Sequence, residues 1–267
     1  MFEYILLSST LLFLVAGAYY DSKHKELPYF LTLTFISFAF LIQVIRLILG
    51  QNVLGAFIST LIFGGLNYLL YLAGVRGGGD TLAIIGMSMA LGERFIEFFL
   101  LYITIEFVAA FYSMFYILYL AYTKNYISGL HFTTILIPTI IGVYFNPLIG
   151  VLAFMLSSVL LLSFILAKYE KKLFVREVKV KDLVGEEWIT DNVVVNGRVL
   201  VKKRGIGLTK QDILKLKKHK IKSIKIKEGI PLVPGYLAGL LVWLALNILF
   251  REEVAYVINI VRGILPI

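Results

Sequence analysis

This sequence predicts a polytopic α-helical membrane protein of six to eight spans, with a small α+β cytoplasmic domain inserted before the last span. Three observations carry that prediction. Hydrophobic residues make up 59% of the 267 residues and the mean hydropathy is +0.86; soluble domains use roughly 45–50% apolar residues, so one water-soluble core cannot enclose this much apolar surface. The apolar residues also fall in runs, most of them close to the ~17–25 residues that cross a bilayer. Finally, the charge is confined. Residues 168–228 hold 18 Lys/Arg against 8 Asp/Glu, a net of +10, which leaves −1 for the rest of a chain whose total is +9.

Taken in order, the runs place spans near 4–20, 29–49, 54–74, 81–92, 95–121, 132–146, 148–167 and 232–250. The segments 81–92 and 132–146 are short for a crossing, so eight is a working value within the six-to-eight range. Phe2 and Glu3 stand where a signal peptide would carry basic residues, and no small-residue cleavage site follows, so the first run is expected to be a retained span. The bias of Lys and Arg toward the cytoplasm sets the orientation. With the N-terminus outside, the cytoplasmic connections are 21–28 (Lys23, Lys25), 75–80 (Arg76), 122–131 (Lys124) and 168–228. The opposite turns around Gln51, Glu93 and Asn146 hold one basic residue, Arg94. Asp21 follows one span and Asp80 follows three, so both aspartates fall on the cytoplasmic face however the later spans are counted.

The expected division is a membrane domain at 1–167, a basic cytoplasmic α+β domain at 168–230, a last span at 231–250 and an external interfacial tail at 251–267. Within the basic domain, Val193–Val195, Asn196-Gly197 and Val199–Val201 predict a hairpin. Thr209 followed by Asp212 predicts a helix start, with a helix through about His219. Ile221, Ile224 and Ile226 between lysines predict a last strand. About sixty residues make a marginal core alone, so this domain is expected to lean on the membrane domain or on lipid. Its lysines (Lys215, Lys217, Lys218, Lys220, Lys222, Lys225 and Lys227) suit anionic headgroups of the inner leaflet. Nucleic acid is not expected, because no aromatic platform accompanies the lysines. The domain is expected to cap a cleft without supplying a catalytic group.

The chemistry-bearing residues are few. There is no cysteine, which removes disulfides, thiolate-bound zinc and a cysteine nucleophile. Arg76-Gly77-Gly78-Gly79-Asp80 places a carboxylate after three residues without side chains, where another chain can approach the backbone closely. An ionisable residue at the edge of an apolar segment suggests a functional site, and Asp21 is a second one on the same face. A close carboxylate pair does not readily carry two charges. One member can take a proton from water while the other donates a hydrogen bond to a carbonyl. The bland alternatives are a helix cap for Asp80 and a solvated loop residue for Asp21. Glu106, mid-span, admits a place on an ion path with Asp21 and Asp80, as in a transporter. The plainer expectation is a hydrogen bond to a neighbouring helix, for example through Asn67. His24 and His131 fall on the aspartate face without a dense ligand motif, so neither a metal nor a cofactor is expected.

The motifs carry a resemblance. Asp21 followed after five residues by Leu27-Pro28 resembles the first motif of the type IV prepilin peptidase family, and Gly77-Gly78-Gly79-Asp80 resembles its Gly-x-Gly-Asp motif. The likeness covers about residues 10–100. Glu228-Gly229-Ile230-Pro231 running into Val233-Pro234 also resembles the approach to the last span in archaeal members, including preflagellin (pre-archaellin) peptidases. The resemblance implies an intramembrane aspartyl endopeptidase with Asp21 and Asp80 as its catalytic pair. Its partners would be membrane-anchored pilin- or archaellin-like precursors, cut on the cytoplasmic side of their short basic leader. Two departures stand out. Many relatives have Lys where this chain has Leu82. The cysteine-ligated zinc region of the bifunctional members, and the N-methyltransferase activity that goes with it, has no counterpart in a chain without cysteine.

Overall fold

In a bilayer, backbone polar groups must be satisfied within the segment. Each apolar run forms a helix in the computed structural model, which describes residues 1–25, 27–183, 187–195, 197–204 and 207–264. The first helices are α1 (Phe2–His24), α2 (Tyr29–Ile48) and α3 (Leu54–Ser59), which continues through a π turn (Thr60–Gly64) into α4 (Gly65–Leu72). Next come α5 (Gly78–Leu91), α6 (Phe95–Thr123), α7 (Gly129–Phe145) and α8 (Pro147–Phe174). The strand-containing region holds β1 (Val175–Lys179), β2 (Trp188–Ile189), β3 (Val193–Val195), β4 (Arg198–Val201), α9 (Lys210–Lys218) and β5 (Ser223–Lys227). The chain closes with α10 (Val233–Leu249) and α11 (Arg251–Ile264).

Five of the described helical segments are long and apolar enough to cross a membrane, and α10 with α11 makes a sixth if that pair, bent by 104°, is one span. The working value of eight is therefore too high on length alone. The shortfall lies in α5 and α7, which are apolar but shorter than the others. The chain is a mostly helical, multi-pass membrane protein with a small strand-containing region.

Helix α6 is the spine. Its first half (Phe98, Leu101, Ile105, Ala109) shares one core with α1, α2, α5 and α10. Its second half (Met114, Ile117, Leu118, Ala121) shares another with α7 and α8. Small residues let α10 approach the first half at backbone distance. A Cβ added at Gly235 would lie 2.7 Å from Ala109 Cα, and one at Gly239 would lie 2.7 Å from Ile105 Cα. Gly239→Leu should therefore force α10 off α6, at a cost of about 1–3 kcal/mol or more for overpacking. A lowered thermal midpoint in detergent, relative to Ala238→Leu, would register it; an unchanged midpoint would remove this packing account.

In the strand-containing region, β5 is the central strand of an antiparallel sheet ordered β1-β5-β2, and β3 pairs with β4 separately. The alternation expected of the last strand is present: Ile224 and Ile226 are buried, while Lys225 and Lys227 are exposed. β1 was not anticipated, because α8 runs on to Phe174 and hands directly to it. Helix α9 opens on Thr209, whose hydroxyl accepts the Asp212 backbone N–H at 3.2 Å while Asp212 Oδ2 accepts the Thr209 N–H at 3.0 Å. Despite its burial, Asp212 is held below the usual carboxylate range by these bonds and by Arg204. Asn196, half of the expected hairpin dipeptide, lies outside the described residues, as does the end of the tail at 265–267.

Candidate functional site

Helix α1 ends one turn past Asp21. Lys25 takes a left-handed conformation (φ 57°), and its N–H closes on the Asp21 carbonyl at 2.7 Å. The chain then turns through Leu27, and Pro28 opens α2. Proline cannot donate to a preceding turn and fixes φ, so it suits a helix start. This brings Leu27 onto the glycine turn: a Cβ on Gly79 would sit 2.8 Å from Leu27 Cβ. The two sequence motifs are therefore in contact across the gap between α1 and α5.

Gly77 is the N-cap of α5, with extended backbone and no side-chain cap, and Asp80 lies in the first turn. Asp80 is thus not the helix cap that the plainer reading allowed. Its carboxylate folds back toward Gly77, where an added Cβ would lie 3.1 Å from Oδ2. Asp21 is buried, at 5% exposure, and its Oδ2 accepts the backbone N–H of Val233 at 3.0 Å. Asp21, Asp80, Gly77, Gly78, Gly79, Leu27 and Pro28 all line one cavity of about 1050 Å³.

Glu106 does not line that cavity and does not reach Asn67. Asn67 instead donates to the Phe63 carbonyl at 2.8 Å and to Tyr102 Oη at 3.1 Å. Both Glu106 oxygens accept from Arg76 Nη2 at 2.8 Å, and the same nitrogen donates to Tyr236 Oη at 2.6 Å. A hydrogen bond to a neighbouring element was expected, but its partner is the arginine that precedes the glycine turn. A buried guanidinium needs such partners more than an isolated amide does. His24 lines the cavity, whereas His131 caps α7, its Nδ1 accepting the Ser128 N–H at 3.1 Å. Among the described residues no cluster of three or more His, Cys, Asp or Glu is arranged to hold a metal.

The far wall of the cavity comes from the strand-containing region, including Trp188, Leu208 and Ile226. Several charges on this wall are paired. Glu228 bridges Lys25 at 2.5 Å and Arg176 at 2.9 Å, and Lys227 meets Glu170 at 2.6 Å. Lys227 therefore faces the cavity and leaves the set of lysines expected on lipid. Lys215, Lys217, Lys218, Lys220, Lys222 and Lys225 are exposed. Trp188 carried no motif signal, since a lone aromatic in a short strand looks like core. Tyr236 was equally silent as one tyrosine in an apolar helix.

Two carboxylates from different helices share this cavity beside a glycine turn, an arrangement in which one could activate water and the other polarise a carbonyl. Residues 8–122 match the type IV leader peptidase family, so that segment of the chain is similar to it. That match supports a protease role. No curated protein and no solved structure matches the chain. The matched segment contains both motifs and ends within α6, so the strand-containing region and α10 lie beyond it.

Proposed function

We propose that this protein is an intramembrane aspartyl endopeptidase that removes the short basic leader from membrane-anchored pilin- or archaellin-like precursors on the cytoplasmic face. The observation that carries the reading is the joint lining of one cavity by Asp21 and Asp80, with Leu27 seated against Gly79. The pair holds one proton between its members and titrates as a unit. The ionised carboxylate takes a proton from a water molecule as the water oxygen attacks the scissile carbonyl carbon. The protonated carboxyl donates a hydrogen bond to the carbonyl oxygen, where negative charge develops. Collapse of the tetrahedral adduct breaks the C–N bond, and a proton passes from the pair to the leaving amine. Burial of Asp21 and the ion pairs of the far wall favour a fixed setting for that step. An ion path through Glu106 finds less support, because its carboxylate is committed to Arg76.

Incubating the purified protein with a detergent-solubilised pilin-like precursor tests the proposal. The expected product is shortened at its N-terminus, with the new terminus at the leader boundary. An intact precursor under conditions where the enzyme remains folded would sink the reading.

The exposed lysines of α9 and its following turn are proposed to rest on anionic headgroups. Changing Lys217, Lys218, Lys220 and Lys222 to Gln together should weaken binding to anionic vesicles by a few kcal/mol at most, at about 1 kcal/mol per residue. Cleavage of a solubilised precursor should persist. Its loss in a folded variant would assign this face to substrate recognition instead.

A further inference from the structure

We infer that the first turns of α10, outside the matched family segment, position both aspartates. Val233 holds Asp21 through its backbone N–H, and Tyr236 holds Asp80 indirectly through Arg76 and Glu106. The inference rests on the aspartyl-dyad reading above and adds positioning residues to it.

The argument begins with the glycines. Three in succession give a turn with little conformational preference of its own, yet proton transfer needs Asp80 held in one orientation. Among the described residues none makes a side-chain hydrogen bond to Asp80, so the backbone that carries it bears directly on its orientation. On the α5 side that backbone enters a helix, closed by the Thr81 N–H to Gly77 carbonyl bond at 3.1 Å. On the other side it is anchored by Arg76, the residue before the glycines.

Arg76 is 8% exposed and gripped from two helices: Glu106 of α6 accepts at 2.8 Å, and Tyr236 of α10 at 2.6 Å. The guanidinium also lies 5.6 Å from the Tyr236 ring centroid, within cation–π range. Tyr236 is fully buried, with its hydroxyl accepting from Arg76. Its neighbour Gly235 sets the depth of α10 against Ala109. One turn earlier on the same helix, Val233 donates to Asp21 at 3.0 Å. A single rigid element therefore references both carboxylates to one frame. That is the economical way to keep two aspartates from separate helices in working geometry.

Steady-state cleavage by the full-length enzyme in detergent, with precursor concentration varied, tests this. Tyr236→Phe removes only the hydroxyl, and Glu106→Gln is isosteric, so both should fold. Each is expected to lower kcat about tenfold while KM stays within about twofold, because the groups act on geometry and not on substrate contact. Arg76→Gln should lose more than either, and Arg76→Lys should recover part of that loss. The double variant Arg76→Gln/Tyr236→Phe should be no worse than Arg76→Gln alone, since the hydroxyl acts through the guanidinium. A merely structural role would instead lower thermal stability and leave the kcat of the folded fraction unchanged. Wild-type kcat in Tyr236→Phe, or additive losses in the double variant, would overturn the inference. Asp80→Asn separates the two levels. If it remains active, the dyad reading itself fails; if it is inactive while Tyr236→Phe is unaltered, only the positioning role fails.

Discussion

Asp80→Asn and Asp21→Asn are each expected to reduce precursor cleavage on the order of 10³-fold or more, the scale of losing a positioned acid or base. Asparagine keeps the shape of the side chain but cannot take a proton from water, so it removes the chemistry with little change in packing. Neither variant should unfold. Asp21 gives up a carboxylate buried at 5% exposure, and the Val233 N–H can still reach an amide oxygen. Replacing a buried ionisable carboxyl by a neutral amide in a shared cavity should leave the thermal midpoint equal or higher. The measurement pairs initial rates with a melting curve in the same detergent. Substantial turnover by either well-folded variant would end the two-carboxylate mechanism. A loss of both folding and activity would mean that the carboxylates are structural, which their cavity-facing placement argues against.

Gly79→Val is expected to lower activity by about 100-fold, the order associated with displacing reacting groups by roughly 1 Å. The cause is local. The position sits in the first turn of α5, and an added Cβ would meet the Leu27 Cβ at 2.8 Å and its carbonyl oxygen at 3.5 Å. Leu27 is pinned by Pro28 and by Gly17, where a Cβ would fall 3.0 Å from Leu27 Cδ1. Neither side can yield without moving Asp80 or the Asp21 turn. A branched side chain adds stiffness at χ1, so Gly79→Ala should lose less than Gly79→Val. Equal, near-wild-type rates for both would show that the contact between the motifs is incidental.

Much of this was readable along the chain. Helix positions follow from apolar runs because a bilayer leaves the backbone no other way to satisfy its hydrogen bonds, and residue composition alone exposes those runs. The number of spans was less legible. α5 and α7 are as apolar as their neighbours but shorter, and hydropathy measures greasiness better than reach. The start of α9 was written in Thr209 and Asp212, because a cap is an interaction between residues close in sequence. Asp21, Asp80 and their glycines could be singled out for a similar reason: an ionisable group beside apolar residues is conspicuous wherever it falls.

What the sequence could not decide was which distant residues meet. Glu106 stood out as a mid-span charge, but nothing local distinguishes Asn67 from Arg76 as its partner; the crossing of α6 beside the glycine turn does. Tyr236 and Arg76 are 160 positions apart, and only the close seating of α10 on α6 through Gly235 and Gly239 joins them. Lys227 looked like one lysine among many until the sheet turned it toward Glu170 and the cavity. The sequence by itself determined the membrane character, the helices and the two aspartates, since these depend on composition and near-neighbour spacing. Tertiary structure alone decided that Leu27 rests on Gly79, that α10 reaches Asp21 and the Arg76 before the glycine turn, and that the strand-containing region walls the cavity. Those contacts arise from packing between surfaces, and packing has no signature along a single chain.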